Sequence, residues 1–229
     1  MKAQAKPNPA TTTCLRPHAD KIEEFTPLWD ARNEVQAKID AAVEARHEAV
    51  RRGDQPAIGI HQAAAEALQL EFEELSRQMR PLQYKAWERT DNNVVTNLGR
   101  NDINDKYWRG ATYTQTVVMG LAGVGTKAAA DTQASHVGWL EQGGVNAPTY
   151  TGSRKAVTMG AAAAQASVSP QQSFAITSTG TVAGLFMNNG GLATKDDTTG
   201  VLVNVVDFTG GSEVVNNLDT LLVTYTYNG

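Results

Sequence analysis

Apolar positions in the first third of the chain recur every three to four residues. Leu28, Val35, Ile39, Ala42, Val43 and Val50 share one helical face, and Ala64, Leu68, Phe72, Leu75, Met79 and Leu82 share another. Thr26-Pro27 reads as a helix start, a hydroxyl cap followed by proline at the first helical position. Gly53-Asp54-Gln55-Pro56 breaks that helix and offers Asp54 as the cap of the next. So short a break predicts an antiparallel pair, a helical hairpin within residues 27–92, roughly 35–40 Å long at 1.5 Å rise per residue. Two helices cannot cover both stripes by themselves. Docking onto the rest of the chain, onto a copy of it or onto another protein is implied.

After Asn93 the period changes to two. Thr114–Met119, Thr181–Met187, Gly200–Phe208 and Asp219–Tyr227 are strand candidates, with weaker ones at Val137–Glu141, Ala156–Met159, Ser173–Ile176 and Glu213–Val215. Glycine-rich turns such as Asn188-Asn189-Gly190-Gly191 and Thr209-Gly210-Gly211 separate them. About eight short strands with no helix between them predict an antiparallel β-sandwich over residues 93–229, jelly-roll-like in type. Asn101–Trp108 interrupts this as one short helix, and Gly160–Ser167 reads as loop. Pro7, Pro9, Pro17 and the run Thr11-Thr12-Thr13 make residues 1–26 an extended arm, either loose or laid along a partner. The expected class is α+β: arm, helical hairpin, sandwich.

Charge sharpens the division. Of the 20 Lys/Arg and 24 Asp/Glu, 28 charges fall in residues 1–92, whereas 18 of the 20 glycines follow residue 92, so the boundary is expected near Thr90–Asn93. The net charge of −4 supplies no field for nucleic acid or anionic lipid, and neither is expected as a partner. A single cysteine, Cys14, excludes an internal disulfide and a cysteine-built zinc site. No run approaches the roughly 18 apolar residues of a membrane helix, and Met1–Pro7 lacks the apolar core of a signal peptide. A soluble protein, working in a reducing cytoplasm or in a particle assembled there, is expected.

Candidate chemistry is sparse. Gly120 and Gly125-Thr126-Lys127 evoke a phosphate loop, but Thr126 separates the glycine from the lysine and the surroundings are β. Asp131, Ser135 and His136 contain the residue types of a hydrolase triad at a sequence spacing too short for one. His18, His47, His61 and His136 include no i, i+3 or i, i+4 pair that would ligate zinc. Asp102, Asn104 and Asp105, and separately Asp196 and Asp197, are calcium-loop fragments without the glycine and distal glutamate of an EF-hand. Glu71, Glu73 and Glu74 read as the solvated face of the second helix, and Glu44 and Glu48 pair with Arg51 and Arg52 on the first. Trp139 with Tyr150 is the cluster a sugar platform would use. No catalytic residue, cofactor or metal is assigned.

Residues 93–229 carry an ordered series of motifs: Asn93-Val94-Val95-Thr96-Asn97-Leu98-Gly99-Arg100-Asn101-Asp102, Asp105-Lys106-Tyr107-Trp108-Arg109-Gly110, Ala130-Asp131-Thr132 with Ala134-Ser135-His136-Val137-Gly138-Trp139, Thr181-Val182-Ala183-Gly184-Leu185-Phe186, Thr198-Thr199-Gly200-Val201-Leu202 and Asp219-Thr220-Leu221-Leu222-Val223-Thr224-Tyr225. In these the chain resembles a family of tailed-bacteriophage virion structural proteins. The helical front end lies outside the resemblance. The resemblance implies a small β-domain on the phage particle and no enzymatic activity. A head-decoration (cement) protein on the major capsid protein, itself a dimer or trimer, is the expected role. A neck component and a host-glycan-binding module are the alternatives.

Overall fold

The long first helix, α1 (Ile22–Arg52), and the second, α2 (Gln55–Met79), pack as a pair. Gly53 sits in the left-handed region (φ 70°), where only glycine is at ease, and the chain reverses there. Its N–H bonds Val50 O at 3.1 Å, and Asp54 N–H bonds Ala49 O at 3.0 Å. Asp54 Oδ1 then accepts from Ala57 N–H at 3.1 Å and caps α2, as expected. Thr26 is not the cap of α1. The helix begins at Ile22, led in by a 3-10 turn over Ala19–Lys21, and Thr26 Oγ1 donates to Ile22 O at 2.8 Å one turn inside. Pro27 is accommodated there at the loss of one backbone bond.

The structure is a computed structural model describing residues 9–107, 109–110, 116–143, 147–163, 166–208 and 211–228. Beyond the helix pair it is antiparallel: β1 (Pro9–Pro17), β2 (Gln83–Val95), β3 (Val117–Ala122), β4 (Lys155–Val157), β5 (Ala166–Val168), β6 (Gln172–Ala175), β7 (Gly180–Val182), β8 (Gly184–Asn189), β9 (Val201–Asp207), β10 (Glu213–Val215) and β11 (Thr220–Asn228), with α3 (Asn97–Tyr107) between β2 and β3. The main sheet runs β4-β3-β8-β9-β2-β1-β11-β5, with β6 also on β11, and β7 and β10 form a separate pair.

Two expectations are corrected. The arm is not peripheral: Pro9–Pro17 is a central strand, paired with β2 on one side and β11 on the other. The expected hairpin segment, residues 27–92, is not helical to its end. α2 ends at Met79, and the chain turns through Arg80–Leu82 and enters β2, so the expected boundary at Thr90–Asn93 falls inside a strand. β2 pairs with β1 up to Asn92 and with β9 from Asn93 to Val95, and so joins the two halves of the sheet.

Those halves face each other across one core. Cys14, Phe174, Leu221, Val223 and Tyr225 from one meet Met119, Leu121, Leu185, Met187 and Val206 from the other. Buried Asn204 donates to the Tyr225 hydroxyl at 2.6 Å across it. β8 is buried on both faces, Phe186 packing outward under Trp139, Leu202 and Val205. The hairpin root closes on the far side of β6 through Phe25, Trp29, Met79 and Ala175.

Among the expected strands, β9, β10 and β11 lie where the period of two puts them. Thr181–Met187 splits at Ala183 into β7 and β8, and residues 114 and 115 lie outside the described residues. Val137–Glu141 is loop, whereas residues 166–168 of the expected loop form β5. The short helix begins earlier than expected. Thr96 caps it, its Oγ1 accepting from Gly99 N–H at 3.0 Å and also bonding Leu202 O. Trp108 lies outside the described residues.

Candidate functional site

Arg32, Gln36 and Asp40 follow one another at i, i+4 on α1 and therefore lie along one face of it. That face looks onto β4, β6 and β11. Asp40 Oδ1 accepts from Gln36 Nε2 and Asp40 Oδ2 from Ser153 N–H, both at 2.8 Å, which ties the helix to the turn before β4. Arg32 is buried, its guanidinium 5.1 Å from the Trp29 ring centroid and 5.3 Å from that of Phe72. One of its terminal nitrogens reaches Thr220 Oγ1 at 3.4 Å, while its Nε has no hydrogen-bond partner among the described residues.

Across the cleft stands Lys155 of β4, only 4% exposed. Its Nζ lies 5.8 Å from the Phe174 ring centroid and has no hydrogen-bond partner among the described residues. Burial pushes this ammonium down from 10.5 to about 8, with Asp40 pulling the other way and Arg32 and Lys195 adding to the depression. The buried Ser173 hydroxyl of β6 is unpaired as well. Two adjoining cavities of about 330 and 430 Å³ open here, one lined by Asp40 and Lys155, the other by Arg32 and Thr220. Both are bordered by Gln69, Phe72, Gln171 and Ser173. His47 lines the far end of the first, and burial holds its imidazole below the ordinary value, hence neutral at pH 7.

A second cluster is fully satisfied and structural. Glu141 and Arg154 are both buried and form a fork, Nε to Oε1 at 3.0 Å and a terminal nitrogen to Oε2 at 2.8 Å. Glu141 also accepts from the Tyr150 hydroxyl at 3.1 Å and from Asp196 N–H at 2.7 Å. Arg154 donates onward to Asp197 O at 2.8 Å, so the pair pins the 190–200 loop to the turn before β4.

The motifs singled out in the sequence resolve into local structure. Lys127 Nζ is spent on Gly123 O (2.7 Å) and Gly125 O (3.1 Å) with Asp207 at 3.2 Å, so it presents no phosphate loop. Asp131 Oδ2 accepts from Trp139 Nε1 at 2.9 Å and Ala128 N–H at 3.0 Å, while His136 Nδ1 faces Trp139 O at 3.0 Å. No relay joins them. Asp102 pairs with Lys106 within α3, and Asp105 with Arg109 just beyond its end. Asp197 accepts from Leu192 and Thr199 within a turn. Glu44 and Glu48 share Arg51. Among the described residues no group of three or more His, Cys, Asp and Glu could hold a metal ion, and no helix is long and apolar enough to cross a membrane. The two rings of the sugar platform are both buried: Trp139 lies stacked on His136 at 4.0 Å, and Tyr150 is bonded to Glu141.

Sequence reasoning passed over Arg32 and Lys155. Arg32 carried a signal, a charge three residues after Trp29 and three before Val35 on an otherwise apolar face. Lys155 carried none, because its burial is imposed by α1, more than a hundred residues away.

On the outer side of the hairpin, α2 buries only Met79. Ile60 and Leu70 are 67% and 70% exposed, and Ala63 and Ala67 between them are exposed on the same face. In comparison with known proteins, the chain matches no family model, no curated protein and no solved structure.

Proposed function

We propose that this is a bacteriophage virion structural protein, most simply a decoration protein that binds the capsid shell and reinforces it. The observation that carries the reading is the outer face of α2, where Ile60, Ala63, Ala67 and Leu70 form an apolar stripe about 15 Å long at 1.5 Å rise per residue. α1 and the sheet take the other side of the hairpin, so this stripe is available to the major capsid protein. The motif resemblance over residues 93–229 supplies the class of particle. The reading takes the folded-over sheet as a jelly-roll-like β-sandwich, supported by strand alternation and by the core its two halves share. Attachment across capsid seams opposes the pressure of packaged DNA, because each added contact must break before subunits separate. Repetition of the shell favours a symmetric dimer or trimer.

Counting copies per purified particle against the major capsid protein tests it. Hundreds of copies fit a shell protein. About a dozen would move the protein to the head–tail neck, as expected of a ring-bound component, and its absence from the particle would overturn the reading.

A further inference from the structure

We propose that the cleft between the helical hairpin and the sheet binds a small oxyanion, with Lys155 and Arg32 supplying the positive charge and Ser173 the hydroxyl. The inference stands independently of the assembly reading.

Three buried donors have no partners among the described residues: Lys155 Nζ on the first cavity, Arg32 Nε on the second, and Ser173 Oγ, whose residue borders both. A buried cation without a counter-charge costs several kcal/mol, so such groups ordinarily meet an anion. Asp40 acts on Lys155 through space, but no carboxylate among the described residues hydrogen-bonds Lys155 Nζ or Arg32 Nε. Asp40 has both oxygens taken, by Gln36 and Ser153. Glu66 and Glu73, exposed residues of α2 that also border the cavities, accept from Gln62 and Gln69. Lys155 and Arg32 are buried, whereas Asp40, Glu66 and Glu73 on the same walls keep some exposure, and Arg46 and Arg80 add further positive charge, so the site is cationic, which disfavours a metal ion and favours an oxyanion.

Room for the anion together with ordered water is not limiting. The smaller cavity, about 330 Å³, is roughly ten times the ≈30 Å³ share of one water in the liquid. Gln69 and Gln171, on the border of both cavities, add amide donors suited to a second oxygen. The chemistry is that of phosphate or of a carboxylate, and the donor set takes either.

Calorimetric titration of the full chain with inorganic phosphate, and separately with acetate, at constant ionic strength tests the proposal. Saturable heat with one or both is expected, and whichever anion gives it identifies the class. Lys155→Met should weaken that binding about tenfold or more, as loss of a charge-assisted contact does. Ser173→Ala, a milder change, should weaken it less. If neither anion gives saturable heat, or if Lys155→Met binds as the native chain does, the proposal is wrong. A non-specific salting effect on stability would be equal in both chains and would likewise count against it.

Discussion

Arg16 grips Asp219 in a fork across 203 residues of sequence, Nε to Oδ1 at 2.8 Å and a terminal nitrogen to Oδ2 at 2.6 Å. Asp219 is fully buried, and it also accepts from Asn216 N–H at 2.9 Å and lies 3.5 Å from Cys14 Sγ. Burial and this carboxylate drive the Cys14 thiol far above its ordinary value, so it is a core side chain and no nucleophile. The fork fixes the end of β1 to the start of β11. Arg16→Met strands a buried carboxylate and should cost about 2–4 kcal/mol, somewhat less than a fully buried pair because Arg16 is part-exposed. Urea denaturation measures it, and a loss below ~0.5 kcal/mol would show the fork to be dispensable.

Removing residues 1–17 deletes a strand bonded on both edges. The truncated chain should show no cooperative thermal transition by circular dichroism. A sharp transition near that of the full chain would mean that β1 is the detachable arm its prolines suggest.

The Glu141–Arg154 pair should behave as one unit. Arg154→Met leaves Glu141 buried and uncompensated, at about 3–5 kcal/mol, whereas Glu141→Leu combined with Arg154→Met should recover part of that loss. A double variant no more stable than Arg154→Met would contradict the coupling.

Lys155 makes stability depend on alkaline pH. Its folded value, about 8, lies below the ordinary 10.5, so between these the unfolded chain holds more protons and stability rises with pH. Measured without added oxyanion, Lys155→Met should lose that rise and gain up to ~3 kcal/mol at pH 7. An unchanged slope across this window would place the charge in water rather than in the protein interior.

Gly99 lies where a Cβ would collide with the backbone carbonyl of Val203, which the Thr96 cap holds in place. Gly99→Ala should therefore cost about 1–3 kcal/mol, the usual range for overpacking a close contact. The urea midpoint should fall with its slope unchanged, and a shift within ~0.5 kcal/mol would mean that α3 slides freely on β9.

The outer face of α2 separates assembly from folding. Ile60→Glu with Leu70→Glu should leave stability within ~0.5 kcal/mol, since both side chains are exposed. Occupancy on particles should nonetheless fall sharply in a co-sedimentation assay. Full occupancy would remove this face from the contact.

Local chemistry made much of the chain readable before any coordinates. Gly53 and Asp54 mark the hairpin turn because a left-handed residue and a carboxylate cap are backbone requirements met within four residues. β9, β10 and β11 show themselves through alternation, a property of one strand and its two faces. Thr26 misled because a hydroxyl before proline fits the second turn of a helix, bonding the carbonyl four residues back, as well as a cap. Gln83–Val95 misled because Lys85, Glu88, Arg89 and Asp91 lend a partly exposed strand the charge of a helix.

The sequence by itself determined the helix pair, its turn and the β-rich second part, since these rest on interactions within a few residues. Only the tertiary structure decided that Pro9–Pro17 is a central strand, for its partners, β2 and β11, lie far along the chain and pairing leaves no local mark. The same holds for the cleft. Arg32, Lys155 and Ser173 are unremarkable at their positions in the chain, and become a set of buried donors only when α1 closes over β4 and β6.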